Sequence, residues 1–191
     1  MSWRRCPGDP RTYGGVDYQP MNMEATKLRV RLAEHDPRWS LDYSRLARRV
    51  QVALAGEIVA LEHVGSTSVP GLAAKPVIDM LLTVRDSRNE SAYVPALSRQ
   101  GFTLKIREPD WFEHRLLKSS EIEANLHVFS EGCEEIGRMM AFRDWLRAHE
   151  EDRLLYERVK RDLATRSWSS VQEYADSKSD VVRSILAKAP K

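Results

Sequence analysis

The stretch from Glu62 to Val84, EHVGSTSVPGLAAKPVIDMLLTV, constrains the fold more than any other part of this chain. Ile58 to Val64 is an apolar run opened by Gly56, the pattern of a buried strand. Gly65 ends that run with a residue free of Cβ constraint. Ser66, Thr67 and Ser68 then put three hydroxyls at the start of a short helical piece. There they cap the turn or leave backbone N–H groups for a phosphate or another anion. Val77 to Val84 reads as a second buried strand with Asp79 in its interior. A lone carboxylate in an apolar strand is costly unless it is paired, hydrogen-bonded or used. Asp79 is therefore either a ligand for metal or substrate at the sheet surface, or a brace for the Gly65–Ser68 turn.

The rest of the chain falls into a short order of elements. Residues 1–24 contain Gly8, Gly14, Gly15, Pro7, Pro10 and Pro20 without periodicity, and read as a flexible tail ahead of a single domain over 25–191. Ala25 to Glu34 fits a short strand or a helix equally well. Asp36-Pro37 starts a helix, with Asp as N-cap and Pro at the first helical position. Trp39, Tyr43, Leu46, Ala47, Val50 and Leu54 carry its apolar face to about Ala55. A helix over Asp86–Gln100 closes at Gly101. Three strands follow, Phe102–Arg107, Phe112–Lys118 and Ala124–Ser130, with turns at Pro109-Asp110 and Ser119-Ser120. From Glu134 the periodicity is helical: one helix carries Ile136, Met139, Phe142 and Leu146, and a second carries Leu155, Tyr156, Val159 and Leu163. A third, capped by Ser169 or Ser170, carries Val171 through Ile185.

Composition narrows the function classes. The length of 191 residues suffices for one domain with a core. The net charge of +2, from 30 basic and 28 acidic residues, gives no sequence-wide attraction to nucleic acid or to an anionic membrane. A local basic patch of Arg107, Arg115 and Lys118 is the exception to watch. No apolar run approaches the roughly 20 residues of a membrane-spanning helix, and MSWRRCPGDP lacks the apolar centre of a secretory signal. Cys6 and Cys133 form neither a disulfide framework nor a zinc signature, which suits a reducing cytoplasm.

The Gly65-Ser66 pair, the twelve residues after it and Asp79 on the next strand resemble the nucleotidyltransferase superfamily. More closely, the chain resembles the GrpB family. EHDPRW (Glu34–Trp39), NLHVF (Asn125–Phe129), FRDWLR (Phe142–Arg147) and YADSKSDVVRSIL (Tyr174–Leu186) extend the likeness from about Leu28 to Ala189. The resemblance implies an α/β fold with a mixed sheet of about five strands, flanked by helices and closed by a C-terminal helical region. It also implies that Gly65, Ser66, Thr67 and Ser68 hold the phosphates of a nucleoside triphosphate and that Asp79 holds Mg²⁺. One departure bears on mechanism. Strand alternation puts residue 81 on the face of Asp79, where the superfamily carries a second acid, and here it is Leu81. A single carboxylate makes a thin Mg²⁺ site and does not suit a two-metal mechanism.

Several other residues bear on chemistry. His63 and His127 lie on strands near Asp79 and are read as general bases, as metal ligands, or as core histidines. His114 and His149 are read as surface residues. Lys178 interrupts the apolar stripe of Tyr174, Val182 and Ile185, as Arg143 does between Met139 and Leu146. Two inward cations clamp a phosphate or carboxylate, or else snorkel to water; Lys160, four residues after Tyr156, favours a shared pocket. Lys75 is read as a further phosphate contact or as a solvated loop lysine, and Asn125 or His127 would position an acceptor group. The ligand expected is a small phosphorylated molecule or nucleotide. Three functions stay open: a nucleotide-using transferase with a reduced metal site, a non-catalytic anion-binding regulatory module, and a metal-assisted hydrolase using His63, Asp79 and His127. Relatives fused to dephospho-coenzyme A kinase imply a partner role in coenzyme A metabolism, and a homodimer is the other assembly in view.

Overall fold

The computed structural model describes residues 28–189, so the expected tail over 1–24 lies outside the described residues. A short strand β1 (Leu28–Arg29) leads to α1 (Arg38–Ala53), β2 (Ile58–Val64), a 3₁₀ turn (Ser66–Ser68) and β3 (Ile78–Val84). Next come α2 (Glu90–Arg99), β4 (Phe102–Glu108), β5 (His114–Ser119) and β6 (Ala124–Ser130). The C-terminal part holds α3 (Glu134–Ala148), α4 (Glu150–Ala164), β7 (Ser167–Trp168), α5 (Val171–Asp176) and α6 (Ser179–Leu186). Helix α1 begins one residue later than the sequence implies. Pro37 stands outside it, and the Asp36 carboxylate accepts from the Arg38 N–H at 2.9 Å.

The main sheet has five strands in the order β2-β3-β6-β5-β4. Only the β3–β6 pair is parallel. Chain passing from β3 through α2 and the β4–β5 hairpin before returning to β6 makes that parallel neighbour possible. Cross-strand partners share a face, so the register sorts the side chains. Val64, Asp79 and Asn125 stand in one row, and Glu62, Leu81 and His127 in the next, all on one face. The opposite face carries Ile78, Met80, Leu82, Leu117, Leu126 and Val128, which pack against Leu46 and Val50 of α1 and Tyr93 and Leu97 of α2. That core covers the middle of this side of the sheet, with Leu61 and Leu104 partly buried at its margins.

The Asp79 face is covered unevenly. Met139 of α3 packs on Val64, Leu81 and Phe129. Phe142, Leu146, Tyr156, Val182 and Ile185 join α3, α4 and α6 into a helical layer seated on Val69 and Leu72. β1 pairs antiparallel with β7, and Trp168 packs there with Leu163 and Tyr174. This is the mixed α/β sheet with a C-terminal helical region that the sequence implies. One element differs. The helix expected from Ser169 or Ser170 through Ile185 breaks at Ser177-Lys178 into α5 and α6. Ser170 caps α5 by accepting from the Glu173 N–H at 3.0 Å. The Ser177 hydroxyl donates to the Tyr174 carbonyl at 2.7 Å, competing for a helix carbonyl at the point of the break.

Candidate functional site

The site begins where β2 turns into β3. Gly65 has φ +71°, and a Cβ built there would lie 2.4 Å from Asp79 Oδ2. Only glycine meets both demands: it accepts the left-handed conformation, and it leaves room for a carboxylate against the backbone. The turn behind it is tightly bonded. Ser68 Oγ donates to the Gly65 carbonyl at 2.6 Å, and Thr67 Oγ1 donates to the Val77 carbonyl at 3.2 Å. Asp79 is 9% exposed, and its Oδ1 accepts from Asn125 Nδ2 at 2.9 Å. Burial pushes the Asp79 carboxyl up, yet the group lies below its ordinary range, with the His127 imidazole and the Asn125 amide among the causes.

A cleft of about 120 Å³ opens beside this turn, lined among others by Ser66, Thr67, Asp79, Lys160, Tyr174 and Lys178. Two lysines bring charge into it from the helical layer. Lys160 is 2% exposed, its Nζ donating to Ser66 Oγ at 3.1 Å and to the Ala73 carbonyl. Lys178 is 8% exposed, with its Nζ 4.2 Å from the centre of the Tyr174 ring. Among the described residues neither lysine has a carboxylate within salt-bridge distance. Burial, then the charge of Lys178, pushes Lys160 down to about 7. Burial also pushes Lys178 down to about 8, against the pull of Asp79. The Tyr174 hydroxyl is buried without a hydrogen-bond partner among the described residues. Lys75 reaches the same cleft, half-exposed and 3.7 Å from Glu123. Two buried cations without a salt-bridged carboxylate among the described residues, and a spare hydroxyl beside them, suit an anionic ligand.

The structure gathers Gly65, Ser66, Thr67, Ser68, Lys75, Asp79, Asn125 and Lys178 around one turn and cleft. It separates Arg143 and His63 from them. Arg143 does not join Lys178 in an anion pocket; its guanidinium donates to Glu62 at 2.8 Å, to the His63 carbonyl at 3.1 Å and to Asp144 at 2.7 Å. Its place on α3 puts it over β2, where carboxylates already claim it. His63 lies on the α1 side of the sheet, stacked on Tyr43 at 4.6 Å, with Nε2 3.1 Å from Thr67 Oγ1. Burial pushes it down to about 4, so it is a neutral core histidine that steadies Thr67.

His127 does lie on the Asp79 face, with Nε2 3.8 Å from Asp79 Oδ1. Burial lowers its pKa, against the pull of Asp79. Behind it stands His114, expected at the surface but 3% exposed. His114 Nε2 lies 3.1 Å from His127 Nδ1, and His114 Nδ1 lies 2.6 Å from Glu108 Oε2. The β4–β5 hairpin pairs Glu108 with His114 directly. A hairpin expected around Pro109-Asp110 was the signal that would have found that pair. In the local basic patch of Arg107, Arg115 and Lys118, Arg107 and Arg115 both donate to Glu90, at 2.8 and 2.6 Å, which offsets part of its charge. Leu81 is 1% exposed beneath Met139, so apolar side chains fill the place of a second acid. The residues present fit one cation at Asp79 and do not fit two. A wider groove of about 590 Å³ at the start of α1 holds none of these residues.

A mixed five-stranded sheet in this order, flanked by helices and with a Gly-Ser turn bearing on a strand acid, makes this an α/β protein. The profile described as GrpB protein matches residues 29–188, and the chain belongs to the GrpB family. A UPF0157 protein of Halalkalibacterium halodurans is 55% identical over 160 residues, covering 84% of this chain and 82% of that one. The crystal structure of conserved protein GrpB from Enterococcus faecalis superposes with a TM-score of 0.70 at 28% identity, over 82% of this chain and 98% of that one. A dephospho-CoA kinase of Mycolicibacterium paratuberculosis is 27% identical over 188 residues, covering 84% of this chain and 46% of that protein. Among the described residues no helix is long and apolar enough to cross a membrane.

Proposed function

We propose that this protein binds a small phosphorylated molecule, a nucleoside triphosphate first among them, in the cleft between the Gly65–Ser68 turn and Lys178. Lys160 and Lys178 receive phosphate oxygens, with Lys75 at the rim and Ser66 and Thr67 lining the turn. Asp79 holds one divalent cation, Mg²⁺ in the simplest case, which would neutralise phosphate charge. Asn125 keeps the Asp79 carboxylate oriented. Transferase-type chemistry on that ligand is the activity the arrangement suits best. The observation that carries the reading is the pair of buried lysines that, among the described residues, have no carboxylate within salt-bridge distance.

The test is a thermal-shift screen of nucleotides and coenzyme A precursors, each with Mg²⁺ and with EDTA, since a ligand of the native state raises the melting temperature. Lys178→Met is expected to weaken binding about 10–100-fold, the equivalent of one charge-assisted hydrogen bond. No shift with any phosphorylated compound, in folded protein, would remove the proposal.

A second reading is favoured by Leu81, whose apolar surroundings leave room for one cation only. On it the protein is a regulatory module that binds an anion without transfer chemistry, and the likeness to a dephospho-CoA kinase directs the screen to coenzyme A precursors. Binding untouched by EDTA and by Asp79→Asn decides for this module; binding that needs both metal and Asp79 decides for the transferase.

A further inference from the structure

Most polar groups that line the cleft are engaged with protein. Ser66 accepts from Lys160, Thr67 donates to the Val77 carbonyl, and Asn125 donates to Asp79. Lys75 lies 3.7 Å from Glu123. Lys178 differs. Its Nζ makes no hydrogen bond and no ion pair among the described residues, although the residue is buried and lines the cleft.

Packing alone puts the nitrogen there. At the joint between α5 and α6 the Lys178 backbone is fixed on both sides. Its N–H donates to the Ala175 carbonyl at 3.2 Å, and its carbonyl accepts from the Val182 N–H at 3.0 Å. One turn back, the Tyr174 ring lies beneath Nζ at 4.2 Å, and Trp168 packs against that ring at 5.8 Å. The stem is braced while the nitrogen stays unbonded and faces whatever enters the cleft.

As an ammonium, such a group holds an anion. As a neutral amine it is a nucleophile, and a lysine desolvated beside another cation is one that has its lone pair available. Burial pushes Lys178 down to about 8, against the pull of Asp79 and helped by the charge of Lys75. Near neutral pH it therefore has a far larger neutral fraction than an ordinary lysine at 10.5.

We propose that Lys178 is a nucleophilic amine that forms an imine with a short-chain aldehyde or ketone carrying a phosphate. The Nζ lone pair forms a C–N bond to the carbonyl carbon, and the carbonyl π pair moves onto oxygen, which takes one proton from the nitrogen. The carbinolamine then loses that oxygen as water, taking the second proton of the nitrogen, and the C=N bond forms. Nothing is oxidised or reduced. The phosphate meets Lys75 and Lys160 on the neighbouring walls. A cleft of about 120 Å³ is small beside the roughly 300–1,000 Å³ of pockets that enclose larger ligands, which favours a chain of a few carbons. The proposal rests on the reading of the cleft as an anion site and adds a covalent use of one of its lysines.

The experiment incubates the full chain near neutral pH with glyceraldehyde 3-phosphate or with glyceraldehyde. Cyanoborohydride in each reaction reduces an imine to a stable secondary amine, and peptide mass spectrometry locates the label. Lys178 is expected to be labelled ahead of every other lysine. Its rate should be about 10–100-fold higher with the phosphorylated aldehyde, the equivalent of one charge-assisted hydrogen bond, and inorganic phosphate should slow it. Lys178→Arg, which keeps a cation without a free amine, should lose this fast label. Label spread over exposed lysines, or concentrated on Lys75 or Lys160, would overturn the proposal and leave the anion reading to the nucleotide screen. Equal rates at Lys178 with and without the phosphate would overturn the phosphate requirement and count against the anion reading as well. The label is read on the unaltered chain, so a variant that fails to fold does not blunt the test.

Discussion

Gly65 and Asp79 occupy each other's space. The carboxylate fills the volume of the missing Cβ, and the positive φ of Gly65 sets the turn that brings Ser66 to Lys160. Gly65→Ala is expected to cost about 1–3 kcal/mol in chemical denaturation, from backbone strain alone, with the clash at Asp79 adding to it. The same variant should lose ligand binding even at temperatures where it stays folded, because the carboxylate must move. Retention of both stability and binding would show that the turn yields more freely than its geometry implies. At this scale the sequence was informative: the glycine, the hydroxyls and the strand acid all stood out by type and position. Lys160 and Lys178 stood out as cations on apolar stripes. His114 did not, because its burial depends on Trp111 and Phe129, which only the folded sheet brings to it.

The strands were readable element by element, because hydrophobic runs between turn residues decide them locally. Expected and observed bounds agree within two residues for β3, β4, β5 and β6. The helices were readable as stripes, but where α5 gives way to α6 was not. That break turns on side-chain bonds at Ser177, and it moves Lys178 from mid-helix to the joint, where its ammonium reaches the cleft. Arg143 shows the opposite failure: the stripe was right, but the partners were Glu62 and Asp144, which sequence spacing does not disclose. Arg143→Met should loosen α3 from β2 at a cost of about 2 kcal/mol and leave ligand affinity unchanged, seen by urea denaturation beside a binding titration. Leu81→Asp sets the other boundary. An acid there would be buried among Val64, Phe129 and Met139, so the variant should lose several kcal/mol, about 3 or more, and gain no metal-dependent activity. Calorimetry and a nucleotide-turnover assay check the two halves of that expectation.

Across the whole molecule the two lysines give folding and binding opposite responses to pH. Lys160 and Lys178 sit at about 7 and about 8, against 10.5 for an ordinary lysine. Between those values the unfolded chain holds protons that the native state lacks, so stability rises as pH climbs through that window. An anionic ligand needs both ammonium groups, so its affinity falls over the same range. Melting temperature without ligand should therefore rise between about pH 7 and pH 9, while the shift produced by a saturable phosphorylated ligand shrinks; parallel slopes would show that the lysines are not the ones holding the anion. The apolar filling around Leu81 has a consequence for how such a chain can change by descent. Phe129 and Met139 are shaped to a leucine, so an acid arriving alone at position 81 meets a wall of hydrocarbon and an unstable protein. A lineage moving toward an acid at position 81 would need polar changes among Val64, Phe129 and Met139 as well. Single steps are unfavourable in that direction, so the leucine at position 81 is held in place by its neighbours as much as by any chemistry.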